Sequence, residues 1–81
     1  MDSKLIYSEL INKLNGFSDR EKKNIALKYL FLRFNISTTD LLINKKISFD
    51  EHHKEMFEND LIKINNKTPV QYVTESEYFY D

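Results

Sequence analysis

A chain of 81 residues, 41% of them hydrophobic, is sized for one domain with a small core. Twelve basic residues stand against thirteen acidic ones for a net charge of −1, and the lysines fall in dispersed pairs such as Lys22-Lys23 and Lys45-Lys46. The clustered basic face of a nucleic-acid-binding protein is therefore not expected. Without cysteine these residues form no disulfide and no thiolate metal site, and no apolar run approaches the roughly 20 residues that cross a bilayer. Met1-Asp2-Ser3-Lys4 does not open a secretory signal, so the expectation is a cytoplasmic protein with no membrane partner.

A first helix is predicted from near Ser3, where Leu5, Ile6, Leu10, Ile11 and Leu14 repeat at the spacing of one amphipathic face; Asn15-Gly16 ends it. Ser18-Asp19-Arg20-Glu21 reads as a capping box opening a second helix. Its run over residues 25–34 is too apolar for a single face, which predicts a central helix contacted on several sides. Residues 35–40, rich in Asn, Ser and Thr, predict a turn, followed by a short third helix over residues 39–44 carrying Leu41, Leu42 and Ile43. Ser48-Phe49-Asp50-Glu51 repeats the capping pattern before a fourth helix with Phe49, Met56, Phe57, Leu61 and Ile64 inward and a charged outer face. Asn65-Asn66-Lys67-Thr68-Pro69 breaks it, since proline lacks the donor and keeps its predecessor out of the helical region.

Beyond Pro69, the β-branched and aromatic run Val70-Gln71-Tyr72-Val73-Thr74 predicts an extended segment. A lone strand is unstable, so residues 70–74 should fold back on residues 78–80 or pair with another domain. The fold class expected is thus all-α: a small bundle of four to five helices over residues 1–67, with a hairpin-like linker over residues 68–81.

The stretch Lys67-Thr68-Pro69-Val70-Gln71-Tyr72-Val73-Thr74, followed by Phe79-Tyr80, resembles the signature that joins the helical N-terminal domain to the catalytic domain in HemK-type (PrmC) release-factor glutamine methyltransferases. The match runs in register without a gap, with Glu75 and Asp81 where that signature has glycine. The helix order of the remaining chain is compatible with the same family. The resemblance implies a non-catalytic domain that helps bind and orient a peptide-chain release factor. In the parent enzyme a C-terminal domain would transfer a methyl group from S-adenosylmethionine to the glutamine of the Gly-Gly-Gln loop. It further implies interdomain contacts through Pro69, Gln71, Tyr72, Phe79 and Tyr80, and a linker that leads to a methyltransferase domain absent from these residues.

No cofactor is expected in this chain itself. Gly16 is its only glycine, so no phosphate-cradling loop can form, and neither a Gly-rich turn nor Asn-Pro-Pro-Tyr occurs. No nucleophile–base constellation marks a catalytic site, so the parent, not this chain, would be the enzyme. His52 and His53 are adjacent, point about 100° apart on a helix, and lack a third ligand at metal spacing; they read as surface residues. Glu51, Glu55, Glu58 and Lys54 read as ordinary surface pairs, and Tyr7 and Tyr29 as core residues with satisfied hydroxyls. Lys45-Lys46 reads either as a solvated turn or as a contact for an acidic patch on the release factor. A free-standing helical adaptor is the alternative, though it leaves residues 69–80 without a purpose. A helix-turn-helix regulator fits less well because the third helix is short and apolar.

Overall fold

The computed structural model describes residues 1–75, and of Glu75 only the backbone. Five helices are formed: α1 (Ser3–Lys13), α2 (Asp19–Phe34), α3 (Thr38–Leu42), α4 (Glu51–Asn65) and α5 (Val70–Glu75), with no strand among the described residues. The fold is all-α, as the periodicity implied. No helix of the described residues is long and apolar enough to cross a membrane.

α1 buries Ser3, Ile6 and Leu10, with Leu14 just beyond its end, whereas Leu5 is 54% exposed. One residue of helix turns the side chain by about 100°, so Leu5 cannot share the inward face of Ile6. Gly16 takes φ +76°, the left-handed region open to glycine, two residues past the Leu14 cap. There its carbonyl accepts from Lys67 Nζ at 2.7 Å, and the same ammonium lies 3.6 Å from the centroid of the Phe17 ring. The α1–α2 loop is thereby tied to the end of α4.

The capping box of α2 forms as anticipated: Ser18 Oγ accepts from the Glu21 N–H at 3.2 Å, and Glu21 Oε1 accepts from the Ser18 N–H at 2.9 Å. Ala26, Tyr29 and Leu30 are buried, and the helix packs on α1 and α5, with the Tyr29 ring edge-on to Phe57 of α4. Phe31 and Leu32 nevertheless face outward, so its covering is incomplete. At the far end Asn35 adopts φ +57°, and the Ile36 N–H returns to the Leu30 carbonyl at 3.1 Å, an αL closure that buries Ile36.

α3 starts one residue earlier than anticipated because Ser37 and Asp40 form a second reciprocal cap. α4 is capped not by Ser48 but by Asp50, whose Oδ1 accepts from the His53 N–H at 3.0 Å. Phe49 then lies ahead of the helix rather than on it, and still packs inward against Phe34 and Phe57. Phe57, Leu61 and Ile64 complete the α4 side of the core.

The extended segment expected over residues 70–74 is instead α5. Val70, Val73 and Thr74 are buried while Gln71 and Tyr72 are exposed, a spacing of three and four rather than the alternation of a strand. α4 ends ahead of Pro69, at Asn65, where Lys67 takes φ +72° and the Thr68 N–H returns to the Lys63 carbonyl at 3.0 Å. Pro69 instead starts α5: its carbonyl accepts from Tyr72 N–H at 3.0 Å and Val73 N–H at 3.2 Å, and it lacks only a donor that a helix start does not need. A six-residue helix is marginal in isolation. Burial of Val70 and Val73 against α2 and α4, at about 2 kcal/mol per fully buried aliphatic side chain, holds it in place. The partner segment expected at residues 78–80 lies outside the described residues.

Candidate functional site

The expected interdomain joint begins on α5. Pro69, Gln71 and Tyr72 are all exposed, Tyr72 by 58%, so α5 turns two valines into the bundle and an aromatic side chain out of it. Gln71 Oε1 accepts from Lys28 Nζ of α2 at 2.9 Å. Phe79 and Tyr80 lie outside the described residues.

Beneath α5 sits a buried polar network. Arg33 of α2 makes a bidentate pair with Asp60 of α4, Nε to Oδ2 and Nη2 to Oδ1 both at 3.0 Å, and the Tyr29 hydroxyl donates to Oδ2 at 2.6 Å. The paired side chains are 8% and 4% exposed. Arg33 Nη2 also donates to the Val73 carbonyl at 3.4 Å, which joins the network to α5. Burial, and then the hydrogen bond to Asp60, push the Tyr29 phenol far above its ordinary range, so it remains a hydroxyl donor at any physiological pH. Tyr29 is therefore the buried, satisfied tyrosine anticipated, while Tyr7 is half-buried. Asp60 was not singled out from sequence. Its register, three residues after Phe57 and four before Ile64, places a carboxylate on the inward stripe of α4, and Tyr29 and Arg33 share one face of α2 at i, i+4. A charge on an apolar stripe opposite such a pair was the available signal.

Lys45 and Lys46 lie in a turn that is bound to the N-terminus. Ser3 N–H donates to the Lys45 carbonyl at 3.1 Å, Ile47 N–H donates to the Met1 carbonyl at 2.9 Å, and Asp2 and Lys46 form an isolated antiparallel bridge. Lys46 Nζ is 2.7 Å from Asp2 Oδ1, which lowers the carboxyl's pKa and raises that of the ammonium. Of the two lysines, Lys45 forms no salt bridge among the described residues, and its charge acts at longer range to help lower the Asp40 pKa.

A groove of about 380 Å³ opens between α1, α2 and α3. Tyr7, Leu27, Leu41 and Leu42 supply apolar lining, and Lys4 and Lys23 supply its charge. Leu42 and the adjoining Ile43 are 72% and 69% exposed. Of the apolar residues expected on the third helix, Leu41 packs against the core while Leu42 turns outward, because a five-residue helix cannot turn both leucines inward.

His52 is exposed, and His53 lies beside Phe34 and Phe49 with Nδ1 2.9 Å from Asp50 Oδ1. No cluster of three candidate metal ligands occurs among the described residues. No family model, curated protein or solved structure matches the chain.

Proposed function

We propose that this chain is the helical docking domain of a HemK-type protein-glutamine methyltransferase, acting in the cytoplasm to bind and orient a peptide-chain release factor. The observation that carries this reading is the ungapped run Pro69-Val70-Gln71-Tyr72-Val73-Thr74 with Phe79-Tyr80. In it, the domain performs no chemistry. S-adenosylmethionine and the reacting glutamine meet in the catalytic domain that follows residues 69–80, and the bundle raises the local concentration of substrate and restricts its orientation. The outward-facing Tyr72 suits this arrangement, because an exposed aromatic on a short helix next to the linker offers apolar surface to a neighbouring domain.

A free-standing adaptor is the second reading. It is favoured by the groove on α1, α2 and α3, which is lined by other elements than α5.

Calorimetric titration of the 81-residue chain with purified release factor tests the first reading. Saturable binding supports it, and weakening by Lys45→Glu places the contact near the α3–α4 turn. Lys45 is the residue to reverse because Lys46 is engaged by Asp2. Failure to bind at about 1 mM, equivalent to less than about 4 kcal/mol of affinity, rules out autonomous docking.

A further inference from the structure

We infer that the groove between α1, α2 and α3 is a docking site for an acidic amphipathic helix of a protein partner. Three observations converge. Its walls are helices, and an apolar trough between helices accepts leucine-type side chains spaced i, i+3, i+4 and i+7 from a partner helix. Leu42 stands 72% exposed at its edge and Phe31, four residues after Leu27 on α2, is 55% exposed. The apolar surface thus continues past the groove along both walls.

Charge then selects the partner. Lys4 enters from α1 and Lys23 from α2, no carboxylate is among the groove's lining residues, and neither lysine forms a salt bridge among the described residues. Two other concavities differ: one beside the Arg33–Asp60 pair mixes Arg33 and Lys63 with Glu55 and Asp60, and one between α1 and α4 mixes Lys13 and Lys54 with Glu9 and Glu58. A smaller one beside Phe17 and Pro69 also holds a lysine and no carboxylate, but there Lys67 is engaged by the Gly16 carbonyl and the Phe17 ring. Mixed rims satisfy themselves, whereas a single-sign rim around an apolar floor steers an oppositely charged ligand and penalises a like-charged one. A strand-adding peptide has no sheet edge to join among the described residues. Two lysines on a chain of net charge −1 fall short of the polybasic surface that holds a protein on acidic lipid. A second copy would bring the same two lysines to the contact.

The inference does not depend on the release-factor reading. The probe is a fluorescein-labelled helical peptide of about three heptads, with leucine at the i, i+3, i+4 and i+7 positions and glutamate along both flanks, followed by fluorescence anisotropy against the full 81-residue chain. Saturable binding is expected, weakened about tenfold or more by Leu42→Ser, the effect of losing one buried leucine side chain. Lys4→Glu with Lys23→Glu should reverse the preference between this peptide and its lysine-flanked counterpart. Circular dichroism confirms that the variants keep their helices, and the exposure of Leu42 makes its replacement tolerable to the fold. Equal binding of both peptides, indifference to Leu42→Ser, or no binding at about 1 mM overturns the proposal. Self-association in sedimentation abolished by Leu42→Ser makes the occupant a second copy, and saturable capture of vesicles of one-third phosphatidylglycerol lost in the same variant makes it a membrane surface. Either result overturns it too.

Discussion

Replacing Arg33 by Met leaves Asp60 buried at 4% side-chain exposure, with the Tyr29 hydroxyl as its remaining hydrogen-bond donor. Removing one partner from a buried ion pair costs about 3–5 kcal/mol, because the other charge stays desolvated. For an 81-residue chain the whole folding free energy is about 4–12 kcal/mol, at roughly 0.05–0.15 kcal/mol per residue. The single variant should therefore lose much of its stability, and α5, tied to Arg33 through the Val73 carbonyl, should loosen with it. Arg33→Met combined with Asp60→Leu removes both charges together, and its penalty should be smaller than that of Arg33→Met alone by about 2 kcal/mol or more. Tyr29→Phe leaves the bidentate pair standing and should cost only about 1–2 kcal/mol. Urea unfolding followed by ellipticity at 222 nm measures these four chains and Asp60→Leu alone, which closes the cycle. A loss below about 1 kcal/mol in Arg33→Met, or strictly additive losses in the double variant, refutes the claim that these charges act as a buried unit.

At Gly16, φ +76° is strained for any residue with a Cβ, and an added methyl would stand 3.0 Å from the mobile end of Lys67. Gly16→Ala should cost about 1 kcal/mol, mostly from the backbone, and lower Tm by about 4–8 °C in a thermal melt. An unchanged Tm would show that the loop re-forms without the left-handed residue. Backbone N–H donation by Ser18, Ser37 and His53 holds Glu21, Asp40 and Asp50 below their ordinary values of 4.5, 3.8 and 3.8, and the Lys46 hydrogen bond does the same for Asp2. Because each folded-state pKa is depressed, the unfolded chain binds more protons through this range. The stabilisation is complete above the ordinary values and is lost as pH falls through the lowered ones. Tm should drop between pH 5 and pH 3; equal values at both ends would exclude the caps as contributors.

Local chemistry explains most of what could be read from the residues in order. Ser18 and Glu21 satisfy each other's backbone donors within one turn, Gly16 supplies a left-handed bend, and Pro69 separates α4 from α5, so each acts whatever surrounds it. The apolar spacing of Ile6, Leu10 and Leu14 likewise determined which face of α1 turns inward. The ungapped segment at residues 69–80 was legible as a resemblance, and its proposed partner rests on those residues alone.

Burial decided the rest. Val70-Gln71-Tyr72-Val73-Thr74 has the composition of a strand, yet α2 and α4 offer a surface that accepts positions 70, 73 and 74 together, so tertiary packing overrides intrinsic preference. Asp60 becomes an interior charge only because Tyr29 and Arg33 of a different helix reach it. Lys46 loses its free charge to Asp2 at the other end of α1's connection to the turn, and the α1–α2–α3 groove exists only where three helices meet. Caps and turns are determined over three or four residues and can be read from the chain alone, whereas a paired charge or a concave surface depends on segments that only folding brings together.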